Sequence, residues 1–121
     1  MANGRNPWSV SSVGRAVVER LAAVHTPHPQ AVGKGVDIIS DPQRQDNEGF
    51  NWTRLRMART VTDVVPGSAV VIGSAIGRYL AKVIAWDFEV SDEDPIVTLE
   101  LLPVTPESVE QALARNRPPA A

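Results

Sequence analysis

The chain has 121 residues, an apolar fraction of 43% and a formal net charge of −2 at neutral pH. That length carries one domain with a modest core, and so small a net charge gives no global attraction to nucleic acid or to an anionic membrane. With no cysteine in the chain, a disulfide scaffold and a thiolate metal site are both excluded.

Residues 1–8 read as a polar arm ending in Pro7-Trp8, without the apolar h-region of a signal peptide. No apolar run approaches the length of a membrane span. Ser9 or Ser11 can cap a helix that continues to about Val24, where Pro27 and Pro29 forbid its extension. Val10, Val13, Val17, Leu21 and Val24 recur on one face of it, and Arg15 and Glu19 can pair on another. Residues 25–48 have no steady periodicity and are rich in Pro, Gly, Gln, Asp and Asn. They predict a long extended arm, ordered against a partner or disordered, in which Val36 to Ile39 could form one short strand.

Residues 49–60 alternate as a strand, with Phe50, Trp52, Arg54 and Arg56 on one face and Thr53, Leu55 and Met57 on the other. Pro66-Gly67 predicts a turn into the strand Ala69 to Ile72, and Gly73 to Gly77 a second turn. Arg78 to Val90 is long for a flat strand and predicts a bend or bulge. Leu80, Ile84, Trp86 and Phe88 fall on one side of it and Ala81, Val83 and Ala85 on the other, as in a strand curled into a small barrel. Ser91 to Pro95 is an acidic hairpin loop, and Ile96 to Leu102 the last strand. Thr105-Pro106-Glu107 starts a C-terminal helix, with a cap, a proline in the first turn and an acid beside the dipole. Pro118-Pro119 ends it.

The fold class is therefore mainly β with flanking helices (α+β). The expected architecture is a small antiparallel β-barrel at 49–104, preceded by an arm and amphipathic helix at 1–24 and an extended arm at 25–48. The C-terminal helix and tail occupy 105–121.

The residue types that carry chemistry do not assemble into a known motif. His25 and His28 flank a proline without the converging ligands that zinc requires, and read as loop histidines. Gly33-Lys34-Gly35 lacks the upstream glycine and the following Ser or Thr of a phosphate-binding loop. There is no nucleophile elbow. No catalytic, cofactor or metal residue is expected.

Two surfaces stand out instead. Phe50, Trp52, Arg54 and Arg56, with Trp8, form a candidate subunit or partner interface, since Trp and Arg are enriched in such interfaces. The same strand face suits a single-stranded nucleic-acid binder, or aromatics lying partly in the core under arginine stems. Asp87, Glu89, Asp92, Glu93 and Asp94 form an acidic stretch without the spacing of a calcium-binding loop. It reads as a solvated loop, or as a partner-facing or lumen-facing loop that would repel DNA phosphates.

Thr60 to Gly73 with its Pro66-Gly67 turn, then Gly77-Arg78, Ala81 to Ile84 and the Ile96 to Val104 strand resemble a known family. It is that of the small head-to-tail connector proteins, of the stopper or head-closure type, in tailed phages of actinobacteria. The resemblance covers roughly residues 9–24 and 53–104. Ser68 stands where that family usually has an acid, and the helix after Thr105 lies outside its pattern.

The resemblance implies a non-enzymatic virion component, made in the host cytoplasm and acting at the head–tail junction. It would form a homo-oligomeric ring that contacts portal, connector or tail proteins and lets double-stranded DNA pass without sequence-specific binding. Stopper, adaptor and tail terminator all stay open. So do a small-barrel nucleic-acid-binding module and a regulatory module that binds one protein partner. No membrane is implied.

Overall fold

A computed structural model describes residues 13–75 and 77–103. The expected C-terminal helix, and the arm carrying Trp8, Ser9, Val10 and Ser11, lie outside these residues. The described chain is mainly β. A five-stranded curled sheet has the order β1-β3-β4-β5-β2, formed by β1 (Ile38–Ile39), β2 (Asn51–Arg54), β3 (Ala69–Ser74), β4 (Gly77–Asp87) and β5 (Ile96–Leu101). Helices α1 (Arg15–Val24) and α2 (Pro29–Lys34) precede β1, and short 3-10 turns occupy Leu55–Met57 and Thr62–Val64.

Helix α1 is capped by Gly14, whose carbonyl accepts from the amides of Val17 and Val18. Its apolar stripe runs through Val13, Val17, Val18, Leu21 and Ala22. Leu21 is buried and the others are packed half-exposed on the core. Val24, expected on the same face, is instead 75% exposed. Val24 lies on the angular side of Val17 but is the last residue of the helix, so its exposure reflects its position at the end and not its face. The Arg15–Glu19 pair forms at 3.8 Å, but on side chains too exposed to contribute much.

The extended arm expected at 25–48 is a correction: this segment folds onto its own sheet. His25 Nε2 donates to the Ala58 carbonyl at 2.8 Å, and the His28 amide donates to the same oxygen at 3.1 Å. One carbonyl with two lone pairs thus pins the chain after α1. The His28 ring then accepts from the Gln30 amide and caps α2, with Pro29 in the first helical position. Gly35, at φ 67°, closes α2 in the left-handed conformation. Gly35 N–H donates to Val32 O and Val36 N–H to Ala31 O, the paired bonds of a Schellman motif. Ala31 and Val36 are both fully buried, which supplies the apolar contact that accompanies such a cap. The chain leaves directly into β1, which pairs parallel with β3, so the sheet is not wholly antiparallel.

Val36 also fixes a glycine. A Cβ on Gly73 would lie 2.9 Å from Val36 Cγ2 and 3.3 Å from Lys34 Cδ. Gly73→Ala is expected to cost about 1–3 kcal/mol by overpacking. In a Val36→Ala background the same change should cost less, as read by urea midpoints.

The strand expected over 49–60 is shorter. β2 ends at Arg54, and the 3-10 turn carries Leu55 into the core, 2% exposed, and Ala58 into an antiparallel bridge with Ile38. Arg56 therefore leaves the row of side chains that Phe50, Trp52 and Arg54 begin, and Met57 leaves the opposite one.

Pro66 and Gly67 form the expected turn. Ser68 N–H donates to Val65 O, and Gly67 has φ 95°, the signature of a type II turn with Pro and Gly at its centre. β3 and β4 form the expected hairpin. The expected bulge occurs between Val83 and Ala85, and it changes which side chains face inward. Ala81 and Val83 are buried, and the extra residue brings Trp86 to the same side, fully buried. Trp86 therefore belongs with Ala81 and Val83, not with Leu80 and Ile84, which stay half-exposed outside.

The sheet curls but does not close as a barrel, since no ladder joins β1 to β2. Side chains bridge that gap. Thr53 Oγ1 donates to Ile39 O at 2.9 Å, and Ser40 Oγ reaches Trp52 O at 3.4 Å. No helix among the described residues is long and apolar enough to cross a membrane.

Candidate functional site

The two surfaces read from the sequence meet in one place. Arg54 Nε donates to the Asp94 carbonyl at 3.1 Å and lies 3.3 Å from the Asp94 carboxylate. Arg56 Nε lies 3.7 Å from the same carboxylate, and the Arg56 amide donates to its Oδ1 at 2.9 Å. Asp94 is itself positioned by Ser91, whose Oγ accepts from the amides of Glu93 and Asp94. Leu55 N–H donates to Pro95 O. The arginines thus brace the β4–β5 loop against the end of β2. A carboxylate accepting a backbone amide and two guanidinium groups is a strut.

Trp52 is also engaged. The Arg44 guanidinium lies over its ring, 5.0 Å from the centroid, in a cation–π stack. Arg44 is placed there by the neighbouring residue. Asn51, 1% exposed, donates through Nδ2 to the carbonyls of Arg44, Pro42 and Asp41 at 3.2, 2.6 and 3.3 Å. Asn51 therefore holds the loop from within and Trp52 from without. Asp46 completes it. Its Oδ1 accepts from the amides of Glu48 and Phe50, and Gly49 turns at φ 87°. Phe50 is half-buried beside this turn.

Asn51→Ala is expected to free the 41–44 segment at a cost of about 1–3 kcal/mol, because the carbonyls of Asp41, Pro42 and Arg44 lose their shared donor. Hydrogen exchange at residues 41–46 should accelerate while that of β3 and β4 changes little.

Among the acids, Asp87 Oδ1 accepts from the Glu89 amide. Glu89, Asp92 and Glu93 point into solvent, while Asp94 is half-buried. A groove of about 270 Å³ lies between the end of α1 and this loop, lined by Leu21, Val24, His25, Leu55, Arg56 and Asp94. No group of three or more His, Asp or Glu among the described residues is placed to hold a metal ion.

Sequence reasoning missed a third centre. Asp37 is fully buried at the entry to β1. Its amide donates to Val71 O, and its Oδ2 accepts from Val71 N–H at 2.8 Å. Arg59 donates its amide to the Asp37 carbonyl and sets its guanidinium 3.7 Å from Asp37 Oδ1 and 3.7 Å from Asp63. The available signal was a lone carboxylate inside an apolar strand, Val36-Asp37-Ile38-Ile39, with an arginine later in the chain to compensate it.

No protein-family model, curated protein or solved structure matches this chain.

Proposed function

We propose that this protein is a non-enzymatic structural subunit of a tailed phage, one that forms a ring at the head–tail junction. The observation that carries this reading is the order and geometry of the elements. A short amphipathic helix packs on a curled sheet, the type II turn at Pro66-Gly67 feeds β3, and the bulged β4 and β5 complete the frame. These are the segments in which the sequence resembles phage connector proteins. The use of the polar groups supports it. Asp37, Asn51, Asp94, His25 and His28 each bind backbone groups of this chain, as suits a rigid building block.

The nucleic-acid alternative has less geometric support, because Trp52 is stacked by Arg44 and Arg54 is held by Asp94. Titration with single-stranded DNA at low salt is expected to leave the tryptophan fluorescence unchanged. Quenching that fades as salt rises would favour that alternative.

The direct test is immunogold electron microscopy of tailed particles from cells in which the gene is expressed in its own genome. Label at the neck is expected. Intact particles that carry no label there would refute the proposal.

A further inference from the structure

We infer that the outer face of the sheet is a docking site for the segment of this chain that follows β5, residues 105–114. Val70, Ile72, Ala81, Val83 and Leu99 point inward, to the cluster on which α1 packs. The alternate positions point outward, where an antiparallel sheet with one covered face normally carries polar side chains. Here one outward row is apolar. Val71 pairs with Leu80 in the register of β3 and β4, and Leu102 N–H donates to Leu80 O. Val71, Leu80 and Leu102 therefore form one row across three strands, each side chain half-exposed. Ile84, also half-exposed, lies farther along β4.

The row has a boundary on each side. On one side is the pair Gly73 and Arg78. There the end of α2 covers the sheet. Val36 Cγ2 and Lys34 Cδ lie 2.9 and 3.3 Å from where a Cβ on Gly73 would stand, and the Arg78 guanidinium donates to Lys34 O at 2.7 Å. On the other side Lys82 faces Glu100, both exposed.

The occupant follows from the size of the row and from where the chain goes. Side chains on three strands about 4.8 Å apart span roughly 10 Å. That is far below the roughly 800 Å² per partner that a stable interface between separate molecules buries. A tethered segment needs less, because its effective concentration is on the order of millimolar. The tether starts on the docking site itself: Leu102 belongs to the row, and Pro103 follows it. Thr105-Pro106-Glu107 carries the signals of a helix start immediately beyond, and elements joined this closely usually pack side by side. Val109, Ala112 and Leu113 recur at the three- and four-residue steps of one helix edge. An apolar edge of three side chains matches an apolar row of three. The contact is within one chain, so it does not depend on the ring reading.

The test exploits the absence of cysteine from the chain. In the full chain, Leu80→Cys places a single thiol in the row. Its reaction with an aromatic disulfide reagent is expected to accelerate about tenfold when Val109→Asp/Leu113→Asp is added. The same aspartates are expected to leave the thiol of Val90→Cys, on the β4–β5 loop, unchanged. Hydrogen exchange gives the reciprocal readout. Amides 109–114 are expected to be protected in the wild type, and Leu80→Ser to release them while α1 and β3 keep their protection. Equal Leu80→Cys rates with and without the aspartates would overturn the inference, as would wild-type amides 109–114 that exchange like unstructured chain. A Leu80→Cys rate that falls as protein concentration rises would overturn it by making a second copy the occupant. A response at Leu101→Cys in place of Leu80→Cys would overturn it by moving the segment to the inner side, where Leu101 pairs with buried Ala81.

Discussion

Trp86→Ala is expected to be the most damaging single truncation among the described residues, costing about 3–5 kcal/mol. Trp86 is the largest fully buried side chain and sits where the β4 bulge turns it inward. Its ring packs edge-on to Phe88 at 6.2 Å between centroids. Its Nε1 donates to the Val64 carbonyl at 2.9 Å, so the indole ties β4 to the 3-10 turn before the Pro66-Gly67 corner. Trp86→Phe keeps most of the packing but leaves that carbonyl without its donor, and a smaller loss of about 1–3 kcal/mol is expected. A loss this large is a substantial fraction of a small domain's total stability. The alanine variant should therefore populate unfolded chain at room temperature, visible as lost near-ultraviolet circular dichroism and a much lower urea midpoint. A midpoint within a few tenths molar of wild type would mean that the indole is not central to the core.

The second large effect is expected at Asp37. Asp37→Ala removes the acceptor of Val71 N–H and strips Arg59 of its buried counter-charge, for a loss of about 3 kcal/mol. The parallel junction of β1 with β3 depends on this carboxylate. β1 is only two residues long, too short to specify its register by ladder bonds alone. Asp37→Asn retains an oxygen for Val71 but not the charge, so a loss of about 1–2 kcal/mol is expected. Arg59→Met should show positive coupling with Asp37→Asn in a double-mutant cycle, because the two groups lie 3.7 Å apart. Additive effects would mean that the pair acts through the backbone bonds only.

The parts of the fold legible in the sequence are those set by local chemistry. Pro66-Gly67 dictates its turn because a type II corner needs a proline φ followed by a positive φ. The length of the Arg78 to Val90 stretch required a bulge, and one occurs. Its consequence was not legible. A one-residue shift moves Trp86 to the other side, and alternation read without a known bulge position assigns it wrongly.

The 25–48 segment was misread for a related reason. α2 is six residues and β1 two, too short for any periodicity, and their burial depends on a parallel partner far along the chain. The helix ends were present in His28-Pro29 and Gly35, but only as capping signals.

The candidate surfaces were legible as compositions and not as geometry. Arg54 and Asp94 are 40 residues apart in sequence, and nothing local shows that the basic face and the acidic loop meet. Lys34 and Arg78, 44 apart, were invisible as a pair for the same reason. Asn51 sat between Phe50 and Trp52, where the aromatics drew attention to the outer face. The inner position is the one that organises the loop.

The central claim is that this small curled sheet is a building block whose work is assembly. Size-exclusion chromatography with multi-angle light scattering on the purified full chain, in physiological salt, measures this most directly. The monomer weighs 13.1 kDa. The predicted result is one discrete species at a fixed multiple of that mass, unchanged over a tenfold range of concentration and seen as annular particles by negative stain. A monomer at every concentration, with no annular particles, would contradict it.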